Sequence, residues 1–472
     1  MASILRFFRK NPPSQILLSR DASHEATKAP PDEWRILAHY SIGPVKYYLY
    51  RDDIGGARLR FVEPDPIDEK LLRDMAAGLV QPETPEEKYF LEKALSGYGP
   101  LYPLVIDSHV EDIAVEGPGR DVSVIHRLMA DRWISVDLRL NEDEVDSLAI
   151  QLSRKAGKAV SLSAPIAEGL TGEGFRVAVS FSRQVSRFGS SFVVRKYPEK
   201  PITLGDLIAS RVISPLAAAY LWMLVESQQF ILIVGSMGAG KTTLLQSLAS
   251  LIPPFYRVVT IEDTPELVLP VPRWDALVTR PKTPGEQIED IGLEELLKFA
   301  LRRRAEYVIV GEVRGREARL LAQAAASGHG SMTTMHADSP EGAVLRLQLE
   351  PISLPPLFLT LIGSIVHIKR LPGPGGRARR RVFTIAEIQG DEIVYIFKWN
   401  PHEDSFEPDV ARDVVERSES LARARERIPD VTGNPVEELE ERASLLERLA
   451  GEPPESFFRG ITRFYAERYG SP

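Results

Sequence analysis

The spacing of apolar residues changes character three times along the chain. Residues 1–33 show no sustained period and carry scattered prolines, so this stretch is expected to be poorly ordered. Its first ten residues (MASILRFFRK) mix charges among the hydrophobics, which leaves a short amphipathic contact as the alternative and does not fit a secretory signal. From Trp34 to Phe61 apolar and polar positions alternate in short runs (RILAHYSIG, VKYYLYR, ARLRFVEP). That is the period of antiparallel strands, with a turn at Asp53-Ile54-Gly55-Gly56. Helices are expected near 67–79 and 84–95, the second opened by Thr84-Pro85-Glu86-Glu87. Tyr98-Gly99-Pro100 reads as a boundary. Beyond it, strand-like runs at 110–115, 122–126, 133–136, 176–181 and 191–195 accompany a helix over 141–156, with Asn141 and Glu144 spaced as a capping box. The expectation is an α+β extension over 34–97 and a small α+β domain over 98–200, closed by a linker at Lys196 to Pro201.

After helices over 202–225 the rhythm becomes strand, loop, helix. Strands are expected at 230–234, 257–261, 306–310, 331–335 and 382–388, and helices at 243–251, 293–304 and 315–326. That alternation predicts an α/β domain over 201–400 with a mostly parallel sheet covered on both faces. The remainder, 401–472, is helical and charged. Asn434-Pro435-Val436-Glu437 reads as a capping box with proline at the first helical position, and Val436, Leu439, Ala443, Leu446 and Leu449 form one apolar stripe ended by Gly451.

Composition narrows the chemistry. With no cysteine in 472 residues, disulfides, thiolate zinc sites and a cysteine nucleophile are excluded. A net charge of −8 argues against a surface that wraps nucleic acid. The longest apolar candidate for a membrane span, Leu216 to Val234, is broken by Glu226, Ser227, Gln228 and Gln229.

One segment dominates the functional reading. Gly235-Ser236-Met237-Gly238-Ala239-Gly240-Lys241-Thr242 fits G-x-x-x-x-G-K-[ST], between the apolar run Phe230 to Val234 and a helical pattern from Thr243. Glycines let successive backbone N–H groups close around phosphate oxygens, and a helix N-terminus adds partial positive charge there. Residues Gly235 to Thr243 would line a triphosphate, Lys241 would reach its β/γ-phosphates, and the Thr242 hydroxyl would ligate Mg²⁺.

Three later segments fit hydrolysis. Val258 to Glu266 (VVTIEDTPE) is a strand ending in carboxylates, so Glu262 could activate water and Asp263 could join the metal shell; an acidic loop that caps a helix is the alternative. Tyr307 to Gly315 (YVIVGEVRG) places Glu312 after four apolar residues, the pattern of a metal-shell or water-positioning carboxylate, with Gly311 where a small acid is usual. Arg302, Arg303 and Arg304 before it read equally as cations at a helix C-terminus. Ser327 to Asp338 (SGHGSMTTMHAD) holds His329 and His336 on either side of a strand, either of which could report the γ-phosphate. Zinc is a poor reading, since no carboxylate stands at ligand spacing. The cluster Arg377, Arg379, Arg380, Arg381 reads as a solvated loop.

In order and spacing these segments resemble the type II/type IV secretion ATPase superfamily, whose Walker A, Asp box, Walker B and His box they match. The likeness runs from about residue 35 to 470, including YGPLYPLVIDSHVEDIAVEG (98–117), and is strongest for the archaeal type II secretion-like and pilus-assembly members. It implies a RecA-like fold, ATP and Mg²⁺ as ligands, a homo-hexamer, and a cytoplasmic position against the inner face of the cell membrane. There an integral-membrane platform protein would be driven by rotation of the N-terminal domains. It also implies arginine fingers from the preceding domain, for which Arg176 and Arg195 are the best matches and Arg183 and Arg187 weaker ones. Met237 and Ala239 depart from the family's usual Thr and Ser, and Ala305-Glu306 from its Pro-Asp. A hexameric nucleic-acid motor and a non-hydrolysing scaffold are the rival readings; no nucleic acid and no zinc are expected.

Overall fold

A computed structural model describes residues 35–129, 132–196, 201–280, 290–372, 378–428 and 433–470. The stretch 1–33, the linker residues 197–200 and Arg377, on which expectations were placed, lie outside the described residues. Residues up to 196 and those from 201 onward fall into two compact units.

In the first unit alternation does what its period requires. In β2 (Val45–Arg51) Val45, Tyr47 and Leu49 are fully buried while Lys46 is exposed, so one face of the strand meets a core. With β1 (Arg35–Ile42), β3 (Ala57–Val62), β4 (Val110–Val115), β5 (Asp121–His126), β6 (Arg132–Arg139), β7 (Ile166–Leu170), β8 (Arg176–Ser180) and β9 (Ser191–Arg195) it builds one sheet in the order β1-β2-β3-β6-β5-β4-β9-β8-β7. Every pair in it is antiparallel except β3 with β6. The turn at Tyr98-Gly99-Pro100 thus lies inside a continuous unit, because β3 pairs directly with β6 through Arg58–Ser135 and Leu59–Val136. Helix Glu142–Lys155 carries the expected Asn141/Glu144 capping box and buries Val145, Leu148, Ala149 and Leu152 in the same core.

The second unit centres on β10 (Phe230–Val234), buried at every position, as a strand covered on both faces must be. Its sheet adds β11 (Val258–Glu262), β12 (Trp274–Val278), β13 (Tyr307–Glu312), β14 (Gly330–Met335), β15 (Ile362–Pro372), β16 (Ala378–Gln389), β17 (Glu392–Asn400) and β18 (Ser405–Glu407). The order is β12-β11-β13-β14-β10-β15-β16-β17-β18, with every pair from β12 to β15 parallel and those beyond antiparallel. The expected mostly parallel sheet is therefore mixed, and β12, β15, β17 and β18 were not foreseen. The expected solvated loop of arginines is strand instead: Arg379, Arg380 and Arg381 belong to β16, and Arg381 is buried on Asp404 at 2.8 Å. Arg302 to Arg304 directly follow the C-cap of helix Leu293–Ala300, where the Arg302 and Arg303 N–H groups bond the Phe299 and Ala300 carbonyls, and Arg303 also pairs with Asp275 of β12 at 3.0 Å. At Asn434 the side chain accepts from the Val436 N–H and donates to Glu437, which caps helix Pro435–Arg448 without completing a capping box. Helices Pro435–Arg448 and Pro454–Tyr469 dock into this unit's core through Leu439, Leu446, Phe457, Ile461 and Tyr465. Among the described residues no helix is long and apolar enough to cross a membrane.

Candidate functional site

Parallel strands end at one edge of a sheet, and the order β11-β13-β14-β10 sets four strand tips side by side there. From β10 the chain enters the glycine loop, where Gly238 (φ 71°) and Gly240 (φ 97°) hold left-handed backbone that a side chain would oppose. Helix Lys241–Ala249 begins at once, so its first N–H groups face the loop. Ser236, Met237 and Gly238 are exposed, Ala239 is buried, and Thr242 and Thr243 are half-buried at the helix start.

Lys241 is buried, and its Nζ lies 3.1 Å from the Ser236 carbonyl oxygen and 3.3 Å from His336 Nδ1. His336 follows β14, whose Met335 is in register with Val234. Its Nε2 stands 3.1 Å from Glu312 Oε1, and the other Glu312 oxygen accepts from Arg314 at 2.7 Å. Four side chains from three strand tips thus form one line of alternating charge and imidazole.

The electrostatics are consistent with that line. Burial lowers the Lys241 pKa, opposed by Glu312. Burial and then the Lys241 charge hold His336 below the usual histidine value, which favours the neutral ring. A neutral ring protonated at Nε2 turns its lone pair at Nδ1 toward the lysine and sets its N–H beside Glu312 Oε1 without an aligned hydrogen bond. Burial alone would raise Glu312, but the Arg314 hydrogen bond and charge bring it below the ordinary carboxylate value. Glu312 Oε1 is buried and makes no aligned hydrogen bond to any described residue. A buried acceptor left in that state calls for a partner. With Thr242 half-buried at the start of the helix, it fits a hard cation bound through oxygen.

Glu262 ends β11 one strand further along, but its carboxylate turns back into its own loop. Oε1 accepts from the N–H groups of Glu266 at 3.0 Å and Leu267 at 3.1 Å. Burial pushes it up to about 7 despite those bonds. Its stem also explains the unusual Gly311: a Cβ there would fall 3.1 Å from Glu262 Cγ. Asp263 is exposed and accepts from the Thr279 hydroxyl at 3.3 Å, and its charge acts on Arg314 beside Glu312.

Two expectations need correction or relocation. His329 precedes β14 and His336 follows it, so six strand residues, about 20 Å, separate them. His329 is at the opposite edge, where its Nδ1 lies 3.1 Å from the Ala324 carbonyl oxygen, and it cannot read a phosphate on the loop. Arg176 and Arg195 belong to the first unit, directly opposite each other on β8 and β9, with Arg176 on Glu168 and Arg195 on Asp112 at 2.8 Å. Arg183 is 3.8 Å from Glu142, and Arg187 lies over Phe188. Sequence reasoning missed Arg314, two residues past Glu312, and also Arg370 and Arg380, which reach the glycine loop from β15 and β16.

A buried parallel strand, a glycine loop, a lysine-headed helix and carboxylates on neighbouring tips define a phosphate-loop protein of the α/β class. More narrowly, the chain belongs to the Type II/IV secretion system protein family, whose model matches residues 101–353. It is 34% identical over 379 residues to Uncharacterized protein MJ0900 of Methanocaldococcus jannaschii, a match covering 78% of this chain and 67% of that one. To Uncharacterized protein MJ1287 of the same organism it is 40% identical over 268 residues, 55% of this chain and 96% of the other. The crystal structure of the VirB11 ATPase from the Brucella suis type IV secretion system, in complex with sulphate, is 26% identical. That match covers 62% of this chain and 94% of the other, but at a TM-score of 0.31 it carries no inference for this one. The resemblance read from the four motifs is borne out at the level of the family.

Proposed function

We propose that this chain is a Mg²⁺-dependent ATPase, working as a homo-hexamer on the cytoplasmic face of a membrane to drive an integral-membrane platform protein of a secretion or pilus system. The observation that carries the chemistry is the line Lys241–His336–Glu312–Arg314 beside the left-handed glycines. Family membership supports the motor and its partner.

In this reading Lys241 leaves Ser236 and His336 to engage the β/γ-phosphates, and the backbone N–H groups of the loop and helix start hold the remaining oxygens. Thr242 and Glu312 would hold Mg²⁺, which would supply neutralisation of phosphate charge. His336, released by Lys241, keeps a neutral ring whose one N–H would turn from Glu312 to the terminal phosphate. The two carboxylates are pushed apart, Glu312 down and Glu262 up to about 7. That difference suits Glu312 to the ionised metal-shell role, while Glu262 would have to leave the Glu266 and Leu267 N–H groups before it could take a proton from water.

Phosphate release by the purified chain with ATP and Mg²⁺ tests the reading. Lys241→Ala should lose nucleotide binding, and Glu312→Gln should bind nucleotide but turn over roughly a hundredfold or more slower. An unaltered rate in Glu312→Gln would sink the assignment.

A further inference from the structure

The glycine loop has two flanks. Because β14 and β15 lie on opposite sides of β10, Lys241's partners His336 and Glu312 approach from the β14 side. On the β15 side stand two arginines. Arg370 and Arg380 are directly opposite in the β15–β16 register, so their side chains share one face. Arg380 Nε donates to the Gly238 carbonyl at 3.4 Å. A Cβ on Gly240 would fall 3.2 Å from Arg380 Cδ, and one on Gly238 would fall 3.8 Å from an Arg370 terminal nitrogen. Arg370 is exposed and Arg380 half-buried, within reach of a ligand on the loop.

Their neighbours have a different job. Arg379 and Arg381 alternate to the other face, where both reach Asp404, at 3.9 Å and 2.8 Å. Two guanidinium groups side by side over a glycine loop present several N–H donors from which the oxygens of a polyanion can accept. The lysine, imidazole and carboxylate gather on the γ-phosphate flank, which leaves the β15 flank to the inner phosphates.

We infer that Arg370 and Arg380 form a same-subunit clasp for the α/β-phosphates of the bound nucleotide, an inference that rests on the ATPase reading above. A clasp on the inner phosphates cannot tell a diphosphate from a triphosphate. It therefore sets affinity for both, and retention of product as well as capture of substrate. Arginine suits the task because its planar fork matches two phosphate oxygens at once, which lysine does not.

The test is a titration of the full chain with ADP and with a non-hydrolysable ATP analogue, competed by inorganic pyrophosphate. Arg370→Ala and Arg380→Ala should each lose about tenfold in affinity, and the double variant roughly a hundredfold, in equal proportion for both nucleotides and for pyrophosphate. The double lysine variant guards against misfolding: its ligand-free melting temperature should match wild type while ADP affinity still drops several-fold. ADP binding within twofold of wild type in either double variant overturns the clasp, as does a loss confined to the triphosphate analogue. If wild type binds and Lys241→Ala does not, either result removes the clasp alone. If wild type binds neither nucleotide, the ATPase reading itself falls, and the clasp with it.

Discussion

Arg176 faces Arg195 across antiparallel strands in the first unit, and Arg370 faces Arg380 in the same way in the second. The first pair is met by fixed carboxylates: Glu168 holds Arg176, and buried Asp112 holds Arg195. The second pair leans on a glycine loop whose donors are arranged for an anion. Equal geometry thus serves unequal ends. A guanidinium already paired is held in place at little net gain in a partly exposed site and must exchange its partner to act elsewhere. One set against a phosphate loop already stands beside the place a phosphate would take.

The comparison is broken most decisively by turnover. If Arg176 or Arg195 is the arginine finger that the family likeness implies, its replacement by alanine should cost roughly 10³–10⁵ in rate and leave nucleotide affinity nearly intact. The Arg370 and Arg380 variants should show the reverse: weakened binding, with turnover largely recovered at saturating ATP. Steady-state kinetics with independent binding isotherms separate the two. Full activity in Arg176→Ala and Arg195→Ala would leave the first pair a strand-to-strand ion-pair device.

How far each pair could be read from the sequence differs for a physical reason. The glycine loop, Glu312 and His336 are legible because each stands at the end of a buried strand and parallel strands put such ends on one edge, and Lys241 is legible from its place in the loop motif. Arg370 and Arg380 carry no such local mark. Their place depends on β15 joining the far side of β10, a long-range pairing between residues 230–234 and 362–367 that no short period encodes. Three adjacent arginines, Arg379 to Arg381, also hide the alternation that sends Arg380 to one face and its neighbours to the other. His329 illustrates the converse. The sequence held enough to exclude it, since a six-residue strand cannot bring both of its flanking histidines to one ligand. Glu262 was legible in position but not in aim, because the turn at 263–267 draws its carboxylate inward.

The next sharpest division is therefore between the two histidines. His336→Ala should slow ATP hydrolysis by roughly 10–100-fold, the loss expected when a bond to a charged partner goes. His329→Ala should stay within twofold of wild type in the same assay. Equal effects would mean that the edge assignment is wrong, whichever way they fall.

The smallest effect concerns stability, and it sets Glu262 against His367. Burial raises Glu262 to about 7 and lowers the β15 residue His367 to about 4. Asp338 and Glu341 favour the His367 charge and Lys369 opposes it, without reversing the effect of burial. Between about pH 4.5 and 6.5 the folded chain keeps a proton on Glu262 that the unfolded chain has released, so this group stabilises the fold as pH falls. Over the same window the unfolded chain protonates His367 while the fold refuses it, so stability drops as pH falls. One proton in each direction is worth about 1.4 kcal/mol per pH unit, and the two slopes oppose each other. Urea unfolding in chelator should show this by difference. Relative to wild type, Glu262→Gln should lose stability toward pH 4.5, and His367→Gln should lose it toward pH 7. Parallel curves for all three proteins would mean that neither group is held in the protonation state its burial demands.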